Sequence, residues 1–231
     1  MTTQMTTGHP ARTEHRTARS LAVVAGIGYS LAWIISLSVG APNPSVAAGG
    51  NQVVAAFAGH AGPAMAMFVL AEGVAAAALS VVVISAARAV RHSRARLAGL
   101  TGAGFGIAAA VVSWIELALG AWLVYGPVAS RRTATAGTAY QVLTRLDGAK
   151  MFLLAAMAVA LSAVALTSRA LPRWLAPVGF LLAASLAVSG LGYALLAPGL
   201  ASAVYVSGIL LLAFVTGTGV TLRVAPQIPA M

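Results

Sequence analysis

The chain has 231 residues, of which 60% are hydrophobic and only 8% are charged, and its mean hydropathy is +0.92. This composition excludes ordinary soluble domains, which need a charged, solvated surface, and it indicates that the bilayer is the solvent. The net charge of +10 would suggest nucleic acid in a soluble protein. Here the basic residues cluster between apolar segments, where they act as topology signals, so we expect no nucleic-acid partner.

The chemistry of metals and cofactors is poorly represented in the chain. It has no cysteine, which excludes disulfides and thiolate metal sites. A haem or metal centre in a membrane usually takes imidazoles from facing helices. All four histidines fall in predicted tails or loops: His9, His15, His60 and His92. We therefore expect no metal and no cofactor.

The N-terminal part divides into a polar segment and an apolar one. Residues 1–19 contain three arginines and no hydrophobic periodicity, which predicts a disordered basic tail on the cytoplasmic side. Residues 21–39 form the first apolar span. A cleaved signal peptide is one interpretation, because a basic segment precedes the span and small residues follow it. The length of the span and its aromatic and glycine residues favour a retained helix.

Five further apolar spans complete the predicted architecture. Each is close to the ~20 residues that cross ~30 Å of hydrocarbon, and they lie at about 62–86, 97–123, 150–167, 174–196 and 200–222. The sequence therefore predicts an all-α polytopic membrane protein. Its transmembrane domain is a six-helix bundle over residues 20–223, followed by a short cytoplasmic tail at 224–231.

The distribution of arginine predicts the orientation of this bundle. The loop between the second and third spans holds four arginines: Arg88, Arg91, Arg94 and Arg96. On the same side, a short turn adds Arg169 and Arg173, and Arg223 follows the last span. The positive-inside rule then places both termini in the cytoplasm. We expect a multi-pass protein of a bacterial plasma membrane whose arginine loop contacts anionic lipid headgroups.

Two segments on the opposite side are long enough to have structure of their own. In the first, Asn51 is a candidate cap for a short surface helix that would run to about His60. The second, residues 126–144, is rich in Ser, Thr, Ala and Gly. That composition predicts a flexible loop.

The third span carries a stripe of small residues. They recur at steps of three and four and therefore share one helix face: Gly99, Gly102, Gly106, Ala109, Ser113, Glu116 and Gly120. In lipid, small residues let two helix backbones approach closely. The stripe predicts a packing face on a central helix.

Two acids within the spans are the main candidates for chemistry. Glu116 lies on the small stripe roughly 13 Å below the outer boundary, and Glu72 on the second span lies about 15 Å deep, at 1.5 Å per residue. A carboxylate in a membrane is costly and should face protein or a water-filled cavity. Because the two spans are joined by a short loop, the acids could share a proton or a cation, with at least one of them protonated near neutral pH.

A counter-charge for the acids could come from the start of the fourth span. Lys150 is the nearest candidate and Arg145 lies further out, while Ser113 adds a hydroxyl on the stripe of Glu116. Lys150 would begin only about 6 Å inside the outer boundary, so its stem would have to point inward. Asp147 could instead hold Lys150 at the interface as an i,i+3 pair.

The layout resembles that of uncharacterised six-span membrane proteins of high-GC actinobacteria. The resemblance is carried by alanine-rich spans, by inner loops whose only basic residue is arginine, by the segment 51–60 and by Leu146-Asp147-Gly148-Ala149-Lys150. It covers most of the chain and implies no activity.

Three functional hypotheses follow from these features. The first is a small transporter-like or ion- or proton-coupled protein with Glu72 and Glu116 at its polar centre. The second is a structural or regulatory subunit that forms a homo-oligomer, or binds another membrane protein, through its glycine faces or its basic loop. The third is an intramembrane enzyme. The chain has no Ser-His-Asp, HExxH or phosphate-loop pattern, so enzyme activity is the least favoured.

Overall fold

The structure is a computed structural model that describes residues 10–222, with side chains described from Ser20 onward. Within these residues the chain is helical and has no strand. We number seven helices: α1 Pro10–Ser38, α2 Gly50–Phe57, α3 Ala61–Ala89, α4 Arg96–Val128, α5 Thr133–Thr167, α6 Leu175–Ala194 and α7 Pro198–Thr221. Two of them contain a π-helical turn, at Val69–Val74 in α3 and at Val124–Val128 in α4.

Six of the seven helices are long and apolar enough to cross a membrane. The exception is α2, which has only eight residues and would extend about 12 Å at 1.5 Å per residue. The predicted all-α bundle is confirmed, and the architecture is that of a multi-pass membrane protein. Arg223 and the predicted tail at 224–231 lie outside the described residues.

The six long helices form a closed ring. Each packs on the next in the order α1, α3, α4, α5, α6, α7, and α7 returns to α1. The closing seam is tight because Gly26 on α1 faces the backbone of Thr216 and Gly219 on α7. Two hydrogen bonds also cross it, from Thr216 Oγ1 to the Gly26 carbonyl at 2.9 Å and between the Ser30 and Thr216 hydroxyls at 2.6 Å.

The small face of α4 lies inside this ring. All seven residues of the predicted stripe are buried. A Cβ added at Gly106 would lie 2.8 Å from Val83 Cγ1 of α3 and 3.1 Å from Met157 Sδ of α5. A Cβ at Gly102 would lie 3.0 Å from Leu161 Cδ2 of α5. The stripe therefore packs against both neighbouring helices, as a small-residue face in lipid should.

The N-terminal segments differ from the sequence expectations. Helix α1 begins at Pro10, so the predicted irregular tail is helical from residue 10, and residues 1–9 lie outside the described residues. The short helix after the first span begins at Gly50 and ends at Phe57. Its cap is not Asn51, because Gly49 precedes the first turn and donates its N–H to Gln52 Oε1 at 3.1 Å.

The predicted flexible loop at residues 126–144 is wrong. The π-helical turn of α4 continues to Val128, a short turn follows, and α5 begins at Thr133. The cause is a tertiary contact, because Gly50 of α2 lies directly on the backbone of Thr133 and Gly137. This contact stabilises the helix, although the segment is too polar for a helix to be predicted from its sequence.

The extension of α5 and the short helix α2 form a cap over one end of the ring. The cap has its own apolar core, which includes Val53, Phe57, Leu123, Val128 and Leu143. The Tyr140 hydroxyl ties the preceding loop to α5 by donating to the Pro44 carbonyl at 2.6 Å. We call this the capped end, and we call the end with the loop of Arg88–Arg96 the arginine end.

Candidate functional site

The polar centre of the bundle is a cluster of four charged side chains, which we call the Lys150 cluster. Lys150 Nζ lies 2.8 Å from Glu72 Oε2, 2.5 Å from Glu116 Oε2 and 2.9 Å from Asp147 Oδ1. The chain contains only four acids and a single lysine. Three of those acids therefore converge on the one lysine.

Three helices supply the cluster because their positions in the ring are adjacent. Glu72 comes from α3, Glu116 from α4, and Asp147 with Lys150 from α5. Glu72 lies within the π-helical turn Val69–Val74, whose extra residue per turn changes the direction of the side chains that follow. π-helical turns of this kind occur often at functional sites.

The structure places Lys150 in the middle of a helix, not at the start of one. The fourth span was expected to begin at Lys150, whereas α5 begins at Thr133 and extends 17 residues, or about 25 Å at 1.5 Å per residue, on either side of Lys150. Its side chain points inward and is only 7% exposed. The Lys150 side chain does not extend outward to the membrane boundary, because three carboxylates surround its ammonium group inside the bundle.

The structure does not bring every predicted residue into the cluster. Arg145 is exposed on α5, and no ion pair links it to any described acid. Asp147, expected as a simple interfacial partner of Lys150, belongs to the same ion network as the two buried glutamates. Ser113 is buried and lines a cavity beside Glu72 and Lys150.

That cavity is small and lies toward α1 and α7. Its volume is about 30 Å³, and its lining includes Tyr29, Trp33, Glu72, Ser113 and Lys150. A water molecule needs about 10–15 Å³ of such space and two or more polar partners. The cavity therefore has room for one or two water molecules and for no organic solute. The sequence did not single out Tyr29 as a site residue, although an aromatic hydroxyl within an apolar span is a recognisable signal.

Charge balance in the cluster is uneven. One ammonium faces three carboxylates, so full ionisation would leave two negative charges without a partner in a low-dielectric interior. In addition, Glu116 Oε1 is buried and has no hydrogen-bond partner among the described residues. An unpartnered buried oxygen of this kind is costly as an anion and is a natural place for a proton.

The Lys150 ammonium occupies the centre of the cluster. The described residues contain no group of three or more histidine, cysteine, aspartate or glutamate side chains placed to hold a metal ion. The position between the carboxylates that a cation would take is filled by the Lys150 ammonium.

Comparison with known proteins adds no further information on the site. No family model matches the chain, and searches of the curated proteins and of the solved structures find no similar protein. The Lys150 cluster is therefore the main evidence for the function.

Proposed function

We propose that the protein is a small proton-coupled membrane protein of transporter-like type, in which the Lys150 cluster binds and releases a proton. The observation that carries the proposal is the convergence of three of the four acids of the chain on its only lysine, within the membrane-spanning bundle. Charged groups in such a position are costly, and they usually mark ion or proton pathways.

The charge of the cluster explains why the exchanged particle is a proton. Binding one proton to a glutamate converts a carboxylate into a neutral acid and reduces the excess negative charge from two to one. Glu116 Oε1 is the suitable atom because it is buried and has no other partner. The cavity beside Glu72 admits water but nothing larger, which favours a proton over an organic substrate at this site.

The environment of the cluster also suits proton transfer. Ion pairs of 2.5–2.9 Å join the ammonium to all three carboxylates, so a proton can be redistributed with little movement of heavy atoms. The π-helical turn at Glu72 provides a local irregularity in α3, a feature associated with functional positions in helices.

The test is proton exchange by the purified full chain across roughly pH 5–9, the range in which a buried carboxyl group would titrate. We compare wild type with Glu72→Gln and Glu116→Gln, which keep size and hydrogen bonding but remove the titratable proton. At least one variant should lose about one exchangeable proton per molecule while keeping its fold.

The matched control is Glu14→Gln, which changes the one remaining acid of the chain. Residue 14 lies 15 residues before Tyr29 on α1, or about 22 Å along the helix. Its substitution should leave the exchange curve of the cluster unchanged. Four superimposable curves would contradict the proposal.

The alternative is a structural or regulatory subunit in which the cluster only holds helices together. It is favoured by the direct ion pairs, which connect α5 to both α3 and α4, and by the small volume of the cavity. In that case glutamine would replace either glutamate with no change in proton exchange. Association with another copy or with another membrane protein would then use the exposed faces of the ring.

The orientation and the lipid contacts form part of the same proposal. The four arginines of the loop between α3 and α4 are all exposed. We infer that they lie on the cytoplasmic side of a bacterial plasma membrane and contact anionic headgroups, each worth about 1 kcal/mol near a charged surface. Both described ends of the ring, the start of α1 and the end of α7, then also face the cytoplasm.

A further inference from the structure

Asp147 differs from the other members of the Lys150 cluster in its exposure. Its side chain is 30% exposed, whereas those of Glu72, Glu116 and Lys150 are 13%, 4% and 7% exposed. It lies three residues before Lys150, about 4.5 Å nearer to the capped end of α5. The cluster therefore has one accessible member, and that member is displaced toward the cap.

Asp147 lies on the opposite side of α5 from the exposed stripe of that helix. On α5 the outward stripe is formed by Val142, Arg145 and Phe152, which are exposed and spaced at helical intervals. Asp147 is two residues from Arg145, or about 200° around the helix axis, and so lies on the opposite side. Asp147 thus lies on the inward side of α5, close to the part of that helix that forms the cap.

The water-sized cavity described above lies on the side of Lys150 that faces α1 and α7, away from Asp147. It is lined by Tyr29, Glu72, Ser113 and Lys150, and its lining does not include Asp147. Lys150 is therefore positioned between an exposed carboxylate toward the capped end and a water-sized space toward α1 and α7. This is the arrangement expected of a proton site with access from one end.

We propose that Asp147 is the group through which protons reach the Lys150 cluster from the capped end of the bundle. The inference rests on the proposed function, because it requires that a buried glutamate of the cluster exchange a proton. A proton from water binds to an Asp147 oxygen. The Lys150 ammonium has no lone pair, so it gives one N–H proton to a glutamate carboxylate and then takes the Asp147 proton on the nitrogen lone pair so exposed. Asp147 returns to its carboxylate form and Lys150 to its ammonium form, so atoms and charge balance.

Several other titratable groups interact electrostatically with Asp147. On its own helix these are Lys150 and Tyr140, and on the facing helices they are Glu72, Glu116 and Tyr193. The two tyrosines are poor proton carriers at neutral pH because a phenol ordinarily titrates near 10. Glu72 and Glu116 are more deeply buried, which leaves Asp147 as the one carboxylate with substantial exposure.

The experiment measures the rate of proton arrival at a buried glutamate after a rapid pH drop. The full chain in lipid nanodiscs is followed by infrared spectroscopy in the carbonyl band of a protonated carboxylic acid. The band is assigned by its loss in Glu72→Gln or Glu116→Gln. Wild type is then compared with Asp147→Asn, which keeps an oxygen for Lys150, and with Asp147→Glu, which keeps the acid.

We expect Asp147→Asn to slow the appearance of the assigned band by about 10²-fold or more, since a positioned general acid or base typically contributes about 10²–10⁴-fold to proton transfer. The final amplitude of the band should be retained. Asp147→Glu should stay near the wild-type rate. Added formate, a small weak acid, should accelerate the Asp147→Asn variant and leave wild type unchanged, which a purely structural role of Asp147 would not produce.

The outcomes separate this inference from the function on which it rests. If no glutamate band appears in wild type, the proposed function fails and the inference fails with it. If the band appears but Asp147→Asn matches wild type, the proposed function stands and the role of Asp147 is refuted. Equal slowing in Asp147→Asn and Asp147→Glu, without acceleration by formate, would also refute it, because the effect would then come from packing.

Discussion

Residue 150 is the only lysine of the chain, and lysine differs from arginine in size and in how its charge responds to its surroundings. All other basic residues of the chain are arginine, which stays charged under all ordinary conditions and has a wide planar head. Lysine is a compact ammonium with three donors on a flexible stem. It fits between three carboxylates without the space that a guanidinium would need, and its charge depends on its surroundings. We expect the arginines to fix topology, whereas the lysine interacts with buried acids.

Removing this ammonium should destabilise the folded protein in a pH-dependent way. In Lys150→Met, the carboxylates of Glu72, Glu116 and Asp147 lose their common partner. Breaking a buried ion network from one side typically costs about 3–5 kcal/mol, so the melting temperature of the detergent-purified variant should fall clearly at pH 7. Lower pH neutralises the carboxylates, and the difference from wild type should therefore shrink as the pH falls.

A triple variant provides the control for this prediction. Adding Glu72→Gln and Glu116→Gln to Lys150→Met removes the two deepest carboxylates and should recover much of the lost stability at pH 7. If Lys150→Met alone melts like wild type at every pH, the acids are already neutral in the folded protein and the ion network is not what holds the three helices.

The sequence identified the residues of the Lys150 cluster but did not predict how they are arranged. Glu72, Glu116 and Lys150 stand out in the sequence because charge within an apolar span is costly. The role of Asp147 could not be predicted, because its position depends on how far α5 extends beyond the apolar span. The count of one lysine against four acids was a usable signal that three of those acids would share one partner.

Individual helices were predictable where hydropathy alone determines them. The apolar spans follow from about 20 residues of low polarity, and six helices of this kind are present. The first half of α5, residues 133–149, was missed because this segment is rich in threonine, alanine and polar side chains. That segment is helical through contact with α2 at Gly50 and Gly137, a tertiary effect that no local pattern contains.

The small face of α4 leads to a packing prediction. In Gly106→Leu, a branched side chain would have to fit where even a Cβ comes within 2.8 Å of Val83 and 3.1 Å of Met157. Overpacking a close-packed interior typically costs about 1–3 kcal/mol. The melting temperature of the detergent-purified variant should therefore be lower than that of wild type.

Gly104 supplies a matched control on the same helix. A Cβ built at Gly104 has no heavy atom within 4 Å, and the residue is exposed. The Gly104→Leu variant should melt at or slightly above the wild-type temperature, because leucine also has the better helix propensity. Equal melting of the Gly106 and Gly104 variants would mean that the small face does not pack in the membrane-extracted protein.

The whole molecule combines a closed ring with a cap at one end only. The six long helices are neighbours in the order in which they occur in the chain, which is the simplest topology available to six spans. Their connections are short except the one between α1 and α3, which contains α2. The cap adds a second apolar core above the Lys150 cluster. At the arginine end the described loops are short and carry six exposed arginines with their flanking helix ends, whereas the turn between α4 and α5 at the capped end carries two. The two ends therefore differ in structure, as expected when one faces the cytoplasm and the other faces outward.

Orientation can be measured directly because the chain has no cysteine of its own, so that a single introduced thiol is the only labelled site. Ser130 at the capped end and Ser93 at the arginine end are both exposed serines in connecting turns. If the arginine end is cytoplasmic, a membrane-impermeant maleimide should label the Ser130→Cys variant on intact cells. It should label Ser93→Cys only after permeabilisation.

Ser202→Cys serves as a second check, because Ser202 is exposed in the turn at the start of α7, at the capped end. It should behave like Ser130→Cys. Reversed labelling of all three variants would place the arginine end, with the start of α1 and the end of α7, outside the cell and the capped end in the cytoplasm. Because the proposed route through Asp147 opens toward the capped end, that reversal would also change the compartment from which protons reach Lys150, without affecting the geometry of the cluster.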